Sequence, residues 1–237
     1  KYKNVMKKRY GKLNNIICVS KESKDEFIEI FGKDFNIETI YNPLATKNII
    51  RKANIETSLP MDKNKFQIVA VGSLIPVKGY DLLINSISLL SKKRDDFQLH
   101  ILGEGFLKKK LNKLINDLKL EDVVILQGFV TNPYVWINNS DLFVMSSRVE
   151  GLPTVLCESI ILGKPVLVPD VPGCREVIDY GNYGILSSRT ARDFYKNILS
   201  CITDPKKLDY YSDKSKKRSE IFSDDAVVKK YTKLFYD

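Results

Sequence analysis

The sequence predicts an α/β domain built on a parallel β-sheet that helices cover on both faces. From residue 66 onward, short continuous apolar runs alternate with stretches of helical periodicity. Parallel strands are buried on both faces and joined by helical crossovers, so they read as unbroken apolar runs between amphipathic helices. The predicted strands lie at residues 67–71, 98–102, 123–126, 142–145, 165–168 and 184–186. This pattern is typical of a Rossmann-like, doubly wound sheet, which binds its ligand beyond the carboxyl ends of the strands.

Helices are predicted between most of these strands, and the chain ends in helices alone. We place Pro153 at the first position of one helix, because the N–H that proline lacks is unpaired there in any case. Gly163 ends this helix, and Asp204-Pro205 interrupts the helical segments near the end of the chain. The predicted helices cover residues 80–90, 107–118, 133–138, 154–162, 175–178 and 226–236.

The first 41 residues predict a smaller, separate unit. Strands at 15–20 and 38–41 enclose a helix at 21–31 that begins after Ser20. One β-α-β unit cannot bury both faces of a sheet, so we interpret it as the remnant of an N-terminal domain. We therefore divide the chain into this remnant, a polar linker, a Rossmann-like domain and C-terminal helices, at residues 1–41, 42–65, 66–203 and 204–237.

The composition predicts a soluble protein of the cytosol. Hydrophobic residues make up 43% and charged residues 28% of the 237 residues, as is ordinary for a globular chain. No apolar run approaches the roughly 20 residues of a membrane-spanning helix, and no signal-peptide core follows Lys1. The four cysteines form no C-x-x-C pair, which favours reduced thiols. The single histidine, His100, lies in a predicted strand, where we expect a packed side chain rather than a catalyst.

The net charge of +9 is concentrated at the start of the chain, where residues 1–52 carry 12 basic and 6 acidic side chains. A basic surface can attract anionic lipid or nucleic acid. The basic residues are dispersed among acids without interleaved aromatics, which argues against a nucleic-acid partner. Two interpretations stay open: a peripheral contact with an anionic membrane at its inner face, and ordinary solvated faces.

The stretch at 148–158, Arg-Val-Glu-Gly-Leu-Pro-Thr-Val-Leu-Cys-Glu, is the strongest candidate for the chemistry. Glu150 lies in a predicted strand-to-helix loop, and Glu158 lies about one turn inside the helix. Gly151 lets the backbone approach a ligand closely, and the free N–H groups of a helix start attract an anion. Two carboxylates beside an anion site suit a sugar on one side of a phosphate and a ribose on the other. The alternative is a surface loop that carries two acids without a ligand.

The loop at 72–79, Gly-Ser-Leu-Ile-Pro-Val-Lys-Gly, is a second candidate because it directly follows the first strand of the domain. Gly72 permits close approach to a phosphate, and Lys78 supplies a positive charge. The P-loop spacing is absent, which argues against ATP hydrolysis, and the G-x-G-x-x-G of a dinucleotide-dependent oxidoreductase is absent too. The alternative is a plain strand–helix loop with a solvated lysine.

Two motifs carry a resemblance to a known family. Glu150-Gly-Leu-Pro-Thr-Val-Leu-Cys-Glu158 resembles the E-x7-E signature of retaining glycosyltransferases of the GT-B fold, family 4. The segment from Gly72 to Lys78 resembles that family's G-R-x-x-x-x-K-G pattern, with Ser73 where arginine is common. The β-α-β unit at the start of the chain is similar to the end of the family's N-terminal domain. The resemblance implies a GT-B-type domain that binds a nucleotide sugar, preceded by the remnant of an acceptor domain.

The resemblance also implies the roles of the site residues. Glu150 and Lys78 are the implied catalytic pair, Glu150 on the transferred sugar and Lys78 on the donor diphosphate. Glu158 is expected to bind the ribose hydroxyls. The implied donor-binding set is Gly72, Ser73, Lys78, Gly103, Gly105, Val130, Asn132, Glu150, Gly151, Leu152, Pro153, Thr154 and Glu158. Residues 170–176 match the family's D-x-x-G-x-x-E turn, which we expect to be structural.

No metal or other cofactor is expected. Sugar transferases of another fold hold Mn²⁺ through Asp-x-Asp, which this sequence lacks. The adjacent pairs Asp95-Asp96 and Asp224-Asp225 lie in polar connections, where we expect solvated side chains. Lys78 and the dipole of the helix after Pro153 can neutralise a leaving diphosphate instead.

The expected activity is transfer of a hexose from a nucleoside diphosphate sugar, UDP favoured over GDP, to an acceptor hydroxyl with retention of configuration. The acceptor is expected to be a glycan or glycolipid of a surface-polysaccharide or glycolipid pathway. The isolated chain is expected to be inactive in transfer, because the acceptor cleft belongs to the N-terminal domain. The alternative is a nucleotide-sugar-binding module without turnover, which Ser73 leaves open.

Overall fold

The computed structural model describes residues 2–236, with side chains up to residue 234. The strands of this part of the chain are β1 (Ile16–Cys18), β2 (Ile37–Thr39), β3 (Phe66–Val71), β4 (Phe97–Leu102), β5 (Val124–Gly128), β6 (Leu142–Val144), β7 (Val166–Pro169) and β8 (Ile185–Ser187). Strands β3 to β8 form one sheet in the order β5-β4-β3-β6-β7-β8, and all its pairings are parallel. The predicted doubly wound parallel sheet is confirmed.

Helices cover both faces of this sheet, each over its own apolar core. The helices are α1 (Tyr2–Tyr10), α2 (Lys21–Phe31), α3 (Thr46–Ala53), α4 (Tyr80–Ser91), α5 (Lys108–Asp117), α6 (Pro133–Asn138), α7 (Thr154–Ile161), α8 (Pro172–Val177), α9 (Ala191–Thr203), α10 (Pro205–Ser219) and α11 (Asp224–Tyr236). One core contains buried side chains of α4, α5 and α9, such as Ile84, Ile115 and Phe194. The other contains side chains of α3, α6, α7 and α8, such as Ile49 and Leu156.

The strand order creates a switch point between β3 and β6. From β3 the chain winds outward through β4 and β5, and it then returns to the other side of β3 to add β6, β7 and β8. The loops that leave β3 and β6 therefore diverge to opposite faces and open a crevice between them, where doubly wound sheets bind ligands. Both candidate motifs of the sequence lie in these two loops.

Local sequence explains most helix boundaries. The Ser20 hydroxyl accepts from the Ser23 N–H at the start of α2, and Gly32 ends that helix with φ +96°. The Asp204 side chain accepts from the Lys207 N–H at the start of α10. The prediction for Pro153 was wrong by one position: α7 begins at Thr154, and Pro153 precedes it with extended backbone angles. The α8 helix also begins earlier than predicted, at Pro172.

The first unit pairs β1 with β2 in a separate two-stranded parallel sheet. In the predicted linker, however, α3 packs into the core of the large sheet, because its Ile49 and Ala53 are each only 3% exposed. The Asn132 and Asn138 amides also donate to the Lys52 and Ala53 carbonyls at 2.9 and 3.3 Å. The domain boundaries given above stay predictions. None of the helices within residues 2–236 has the length and apolar character needed to cross a membrane.

Candidate functional site

The two loops at the switch point are joined by hydrogen bonds and by a close backbone contact. The Arg148 N–H donates to the Val77 carbonyl at 2.7 Å, and the Ser146 hydroxyl donates to the Lys78 carbonyl at 2.9 Å. Gly79 has φ +65°, and a Cβ there would lie 2.1 Å from the Ser146 carbonyl oxygen. Only glycine therefore permits this approach, which fixes where the Lys78 side chain begins.

The fastened loops bring the two implied catalytic residues into contact. Lys78 Nζ donates to Glu150 Oε1 at 2.7 Å, and these side chains are only 23% and 12% exposed. Partial burial strengthens such a pair relative to one in open solvent. The arrangement places one cation and one carboxylate at the carboxyl edge of the sheet, as the sequence predicted. Their charges compensate each other directly, which the sequence did not indicate.

Glu158 has a different environment, one turn into α7. Its Oε1 accepts a hydrogen bond from the Tyr134 hydroxyl of α6 at 3.0 Å. Burial raises the pKa of Glu158, and the hydrogen bond from Tyr134 opposes this shift. Burial and the neighbouring carboxylate raise the pKa of Tyr134 to about 12, so the phenol stays a donor. Sequence reasoning missed Tyr134, because nothing in the predicted helix at 133–138 indicated which helix it faces.

The glycines of the site differ in what they accommodate. A Cβ on Gly103 would lie 2.1 Å from the Gly72 carbonyl oxygen, and one on Gly105 would lie 2.5 Å from the Leu74 carbonyl oxygen. These two glycines therefore allow neighbouring loops to touch. A Cβ on Gly151 would meet no protein atom within 4 Å, so its surroundings are open. Of these positions, Gly151 best fits the predicted close approach of a ligand.

The remaining members of the implied donor-binding set make fewer specific contacts. Ser73 and Thr154 are exposed, while Leu152 and Val130 are half-buried. Asn132 turns its amide nitrogen toward α3 rather than into the crevice. Its Oδ1 is buried and has no hydrogen-bond partner within the described residues. The implied donor-binding role of these residues stays a prediction.

Two further residues organise the site: Arg148, which sequence reasoning did not assign this role, and Gly173, which lies in the turn expected to be structural. Arg148 donates to the Pro76 carbonyl and forms an ion pair with Asp81 at 2.6 Å. These two contacts stabilise the turn that carries Lys78. Gly173 donates its N–H to the Glu150 carbonyl at 3.2 Å. A Cβ on Gly173 would lie 2.0 Å from the Gly151 carbonyl oxygen. The D-x-x-G-x-x-E turn thus supports the loop of Glu150 from behind.

His100 lies outside the site, as predicted. Its ring is fully buried, bonded at 2.9 Å to Gln67 Oε1 through Nε2 and to Gln127 Nε2 through Nδ1. Burial lowers the pKa of His100 to about 4, so the ring is neutral at physiological pH. No cluster of three or more His, Cys, Asp or Glu side chains suited to a metal occurs in the part of the chain that the structure describes.

Comparisons with known proteins point to one family. A family model described as "Glycosyl transferases group 1" matches residues 51–218. The Campylobacter jejuni N-acetylgalactosamine-N,N'-diacetylbacillosaminyl-diphospho-undecaprenol 4-alpha-N-acetylgalactosaminyltransferase is 32% identical over 90% of this chain and 57% of its own length. The chain spans about half the length of the curated relatives it matches, 57%, 51% and 54% for three of them.

Solved structures agree with this similarity. TarM of S. aureus, in a complex that contains UDP, superposes with a TM-score of 0.82 at 24% identity, over 99% of this chain and 46% of TarM. HepE of Anabaena, in complex with UDP and glucose, superposes with a TM-score of 0.80 at 20% identity, over 93% of this chain and 62% of HepE. At these identities the likeness shows a shared fold.

Proposed function

The chain belongs to the group 1 glycosyl transferases, and on this premise we propose that it is the donor-binding part of a retaining enzyme that transfers a hexose from a nucleoside diphosphate sugar. Its fold is of the GT-B type, as the resemblance predicted. The acceptor is a hydroxyl group of a glycan or glycolipid in surface-polysaccharide or glycolipid synthesis. The carrying observation is the Lys78–Glu150 pair at the switch point of the sheet.

In this proposal the donor lies across the crevice with its diphosphate between Lys78 and the start of α7. The Lys78 ammonium group is positively charged, and the first N–H groups of α7 carry the partial positive charge of the helix dipole. In the proposed complex both stabilise the leaving diphosphate, which accelerates transfer. Glu150 takes the sugar and Glu158 the ribose. The nucleotide is UDP rather than GDP, a choice supported by the UDP complexes of two proteins with the same fold.

Lys78 and the α7 dipole supply this charge without a metal ion in the proposed mechanism. Calorimetric titration of the 237-residue chain with UDP and GDP, each with and without EDTA, tests both the nucleotide and the metal. We expect UDP to bind and chelation to leave the affinity unchanged. Loss of all binding with EDTA would refute metal independence, and absence of nucleotide binding under every condition would refute the proposed function.

In this proposal, transfer of the sugar requires a larger protein than the 237-residue chain. Among the described residues, the first unit consists of the two-stranded β1–β2 sheet with α1 and α2, which is too little to form an acceptor cleft with its own core. The 237-residue chain should therefore bind UDP and be stabilised by it, yet transfer no labelled sugar. Adding an intact N-terminal domain of a homologous transferase by fusion should restore transfer. Transfer by the chain alone would place the whole catalytic machinery within these residues.

A second candidate is a nucleotide-sugar-binding module without turnover. The exposed Ser73 favours it, because that position supplies no cation. The Ser73→Arg variant separates the two functions, since an added cation should raise turnover in the fused protein if the site is catalytic. A protein that binds UDP-sugar but stays inactive with both Ser73 and arginine would be the module.

A further inference from the structure

Glu176 is a buried carboxylate outside the proposed donor site. It lies on α8 and is 4% exposed. Its Oε1 accepts from the Lys21 N–H at 2.7 Å and from the Tyr41 hydroxyl at 2.9 Å. Its Oε2 accepts from the Glu22 N–H at 3.2 Å. Burying a carboxylate costs free energy unless it is hydrogen-bonded, and these three donors offset that cost.

Two of these donors belong to the first unit, while the third, Tyr41, packs in the same apolar core as Cys174 and Val177 of α8. Lys21 and Glu22 provide the first amides of α2, and Tyr41 follows β2, whereas Glu176 belongs to the large sheet's layer of helices. The carboxylate also meets the positive end of the α2 dipole. Burial and the bonded Glu176 carboxylate raise the pKa of the Tyr41 hydroxyl, so it remains a donor. The contact therefore fastens the first unit to the Rossmann-like domain.

The same helix touches the proposed donor loop at its other end. Gly173, three positions before Glu176, donates to the Glu150 carbonyl at 3.2 Å. Because a Cβ on Gly173 would lie 2.0 Å from the Gly151 carbonyl oxygen, the two backbones are in direct contact. The short α8 helix (Pro172–Val177) thus links the loop of Glu150 to the start of α2 within two turns.

The interface around this contact is not fully satisfied. Arg175 Nη2 approaches Glu22 Oε1 at only 3.8 Å. The Glu22 Oε2 and Arg175 Nε atoms are buried with no hydrogen-bond partner within the described residues. Burial raises the pKa of Glu22, while the positive charge of Arg175 opposes this shift. Buried polar atoms without a partner cost free energy. Opening this interface therefore requires less free energy than opening a fully hydrogen-bonded one.

We infer that Glu176 is a positioning residue that couples donor binding to the placement of the first unit. The inference rests on the proposed function, because the ligand that moves or orders the Glu150 loop is the nucleotide diphosphate. A nucleotide that favours one position of this loop acts through Gly173 on α8, and α8 sets the distance of Glu176 from the α2 amides. Coupling of this kind is reciprocal, so the formed contact also favours nucleotide binding.

Hydrogen exchange of the Lys21 and Glu22 amides measures the contact directly, because Glu176 accepts from both. The ¹⁵N-labelled 237-residue chain is compared without UDP and with saturating UDP. We expect UDP to slow exchange of both amides by about fivefold or more, the lower end of ordinary coupling between sites. In Glu176→Gln, exchange should be faster and no longer respond to UDP, while the UDP affinity should fall by no more than the same factor.

Two further variants distinguish coupling from simple support of the fold. Glu22→Gln alters the same interface but keeps the backbone contacts of Glu176, so the response to UDP should persist. Tyr41→Phe removes one of the three hydrogen bonds and should weaken the response without unfolding the chain, should Glu176→Gln fail to fold. UDP binding with unchanged exchange in the wild type, or a full response in Glu176→Gln or in Tyr41→Phe, would overturn the coupling alone. No UDP binding at all would overturn the proposed function together with it.

Discussion

The two glutamates of the E-x7-E stretch, Glu150 and Glu158, are controlled by different means. Glu150 lies in a loop and is compensated by a full positive charge, with Lys78 Nζ at 2.7 Å. Glu158 lies on α7 and is compensated by a neutral phenol, with the Tyr134 hydroxyl at 3.0 Å. Burial raises the pKa of Glu158, and the hydrogen bond from Tyr134 opposes this shift. Equal side chains at the two ends of one motif thus offer a ligand different chemistry.

The difference teaches which contact a donor must displace. A diphosphate that binds Lys78 competes with Glu150 for the same ammonium group, so part of its attraction offsets the loss of the ion pair. In the proposed complex, the ribose meets the Glu158 carboxylate, whose only bonded side chain among those the structure describes is a neutral donor. We therefore expect Glu150 to oppose binding of free nucleotide slightly and Glu158 to favour it.

The largest effect is expected from Lys78→Ala. Loss of a charge-assisted hydrogen bond costs roughly 1.5–3 kcal/mol, so UDP affinity should fall by about 10- to 100-fold. Glu150→Gln should leave UDP affinity unchanged or slightly higher, because it removes the competing carboxylate. Titration calorimetry of both variants measures the contrast, with the exposed Lys109→Ala as the control. Equal losses in Lys78→Ala and Lys109→Ala would remove Lys78 from the site.

The next effect is expected from Glu158→Gln. Replacing a charged acceptor of the ribose hydroxyls should weaken UDP by about tenfold or more. The affinity of the same variant for inorganic diphosphate should equal that of the wild type, because this ligand contains no ribose. Titrations with UDP and diphosphate provide the test. If Glu150→Gln and Glu158→Gln weakened UDP equally, the division of the donor between the two carboxylates would be wrong.

A smaller effect is expected on stability, and its sign depends on pH. The folded state raises the pKa of Glu158, so the folded chain binds this proton more tightly than the unfolded chain. The resulting stability is present below the unfolded pKa and is lost as pH rises through the folded pKa. Glu158→Gln should therefore melt at a higher temperature than the wild type at pH 7, because it removes the buried charge.

Melting curves of Glu158→Gln and the wild type at pH 7 and pH 4 test this sign. The advantage of the variant should shrink at pH 4, because the wild-type carboxyl is then largely protonated in both states. Glu150→Gln is the matched control, since it loses an ion pair and should melt lower at pH 7. An advantage of Glu158→Gln that grew as pH fell would contradict the raised pKa.

The smallest effect on UDP binding is expected from Tyr134→Phe, which removes the hydrogen bond to Glu158 and little else. The loss should cost about 0.5–1.5 kcal/mol of stability. It should also raise the pKa of Glu158 further, because this hydrogen bond opposes the shift. UDP affinity at pH 7 should fall only about two- to threefold. A double-mutant cycle that combines Tyr134→Phe with Glu158→Gln measures the coupling of the two residues in UDP affinity. Strictly additive losses of affinity would contradict the contact.

The sequence by itself determined the class of fold and the two loops of the site. Unbroken apolar runs and helical periods are local signals, so they reported the strands from Phe66 to Ser187 and most helices within a few residues. Glu150, Glu158 and Lys78 were found because their motifs are contiguous in the chain. The buried, packed state of His100 followed from its position within an apolar strand.

Only the tertiary structure decided what these side chains face. Lys78 and Glu150 are 72 positions apart, Tyr134 and Glu158 are 24, and Glu176 and Lys21 are 155. Such pairings depend on the strand order and on close backbone approaches such as that of Gly173 to Gly151. A local pattern fixes which face of an element is apolar, but the partner of a polar side chain is set by packing across the whole sheet. For this reason the sequence predicted the residues of the site and the structure alone showed how their charges are compensated.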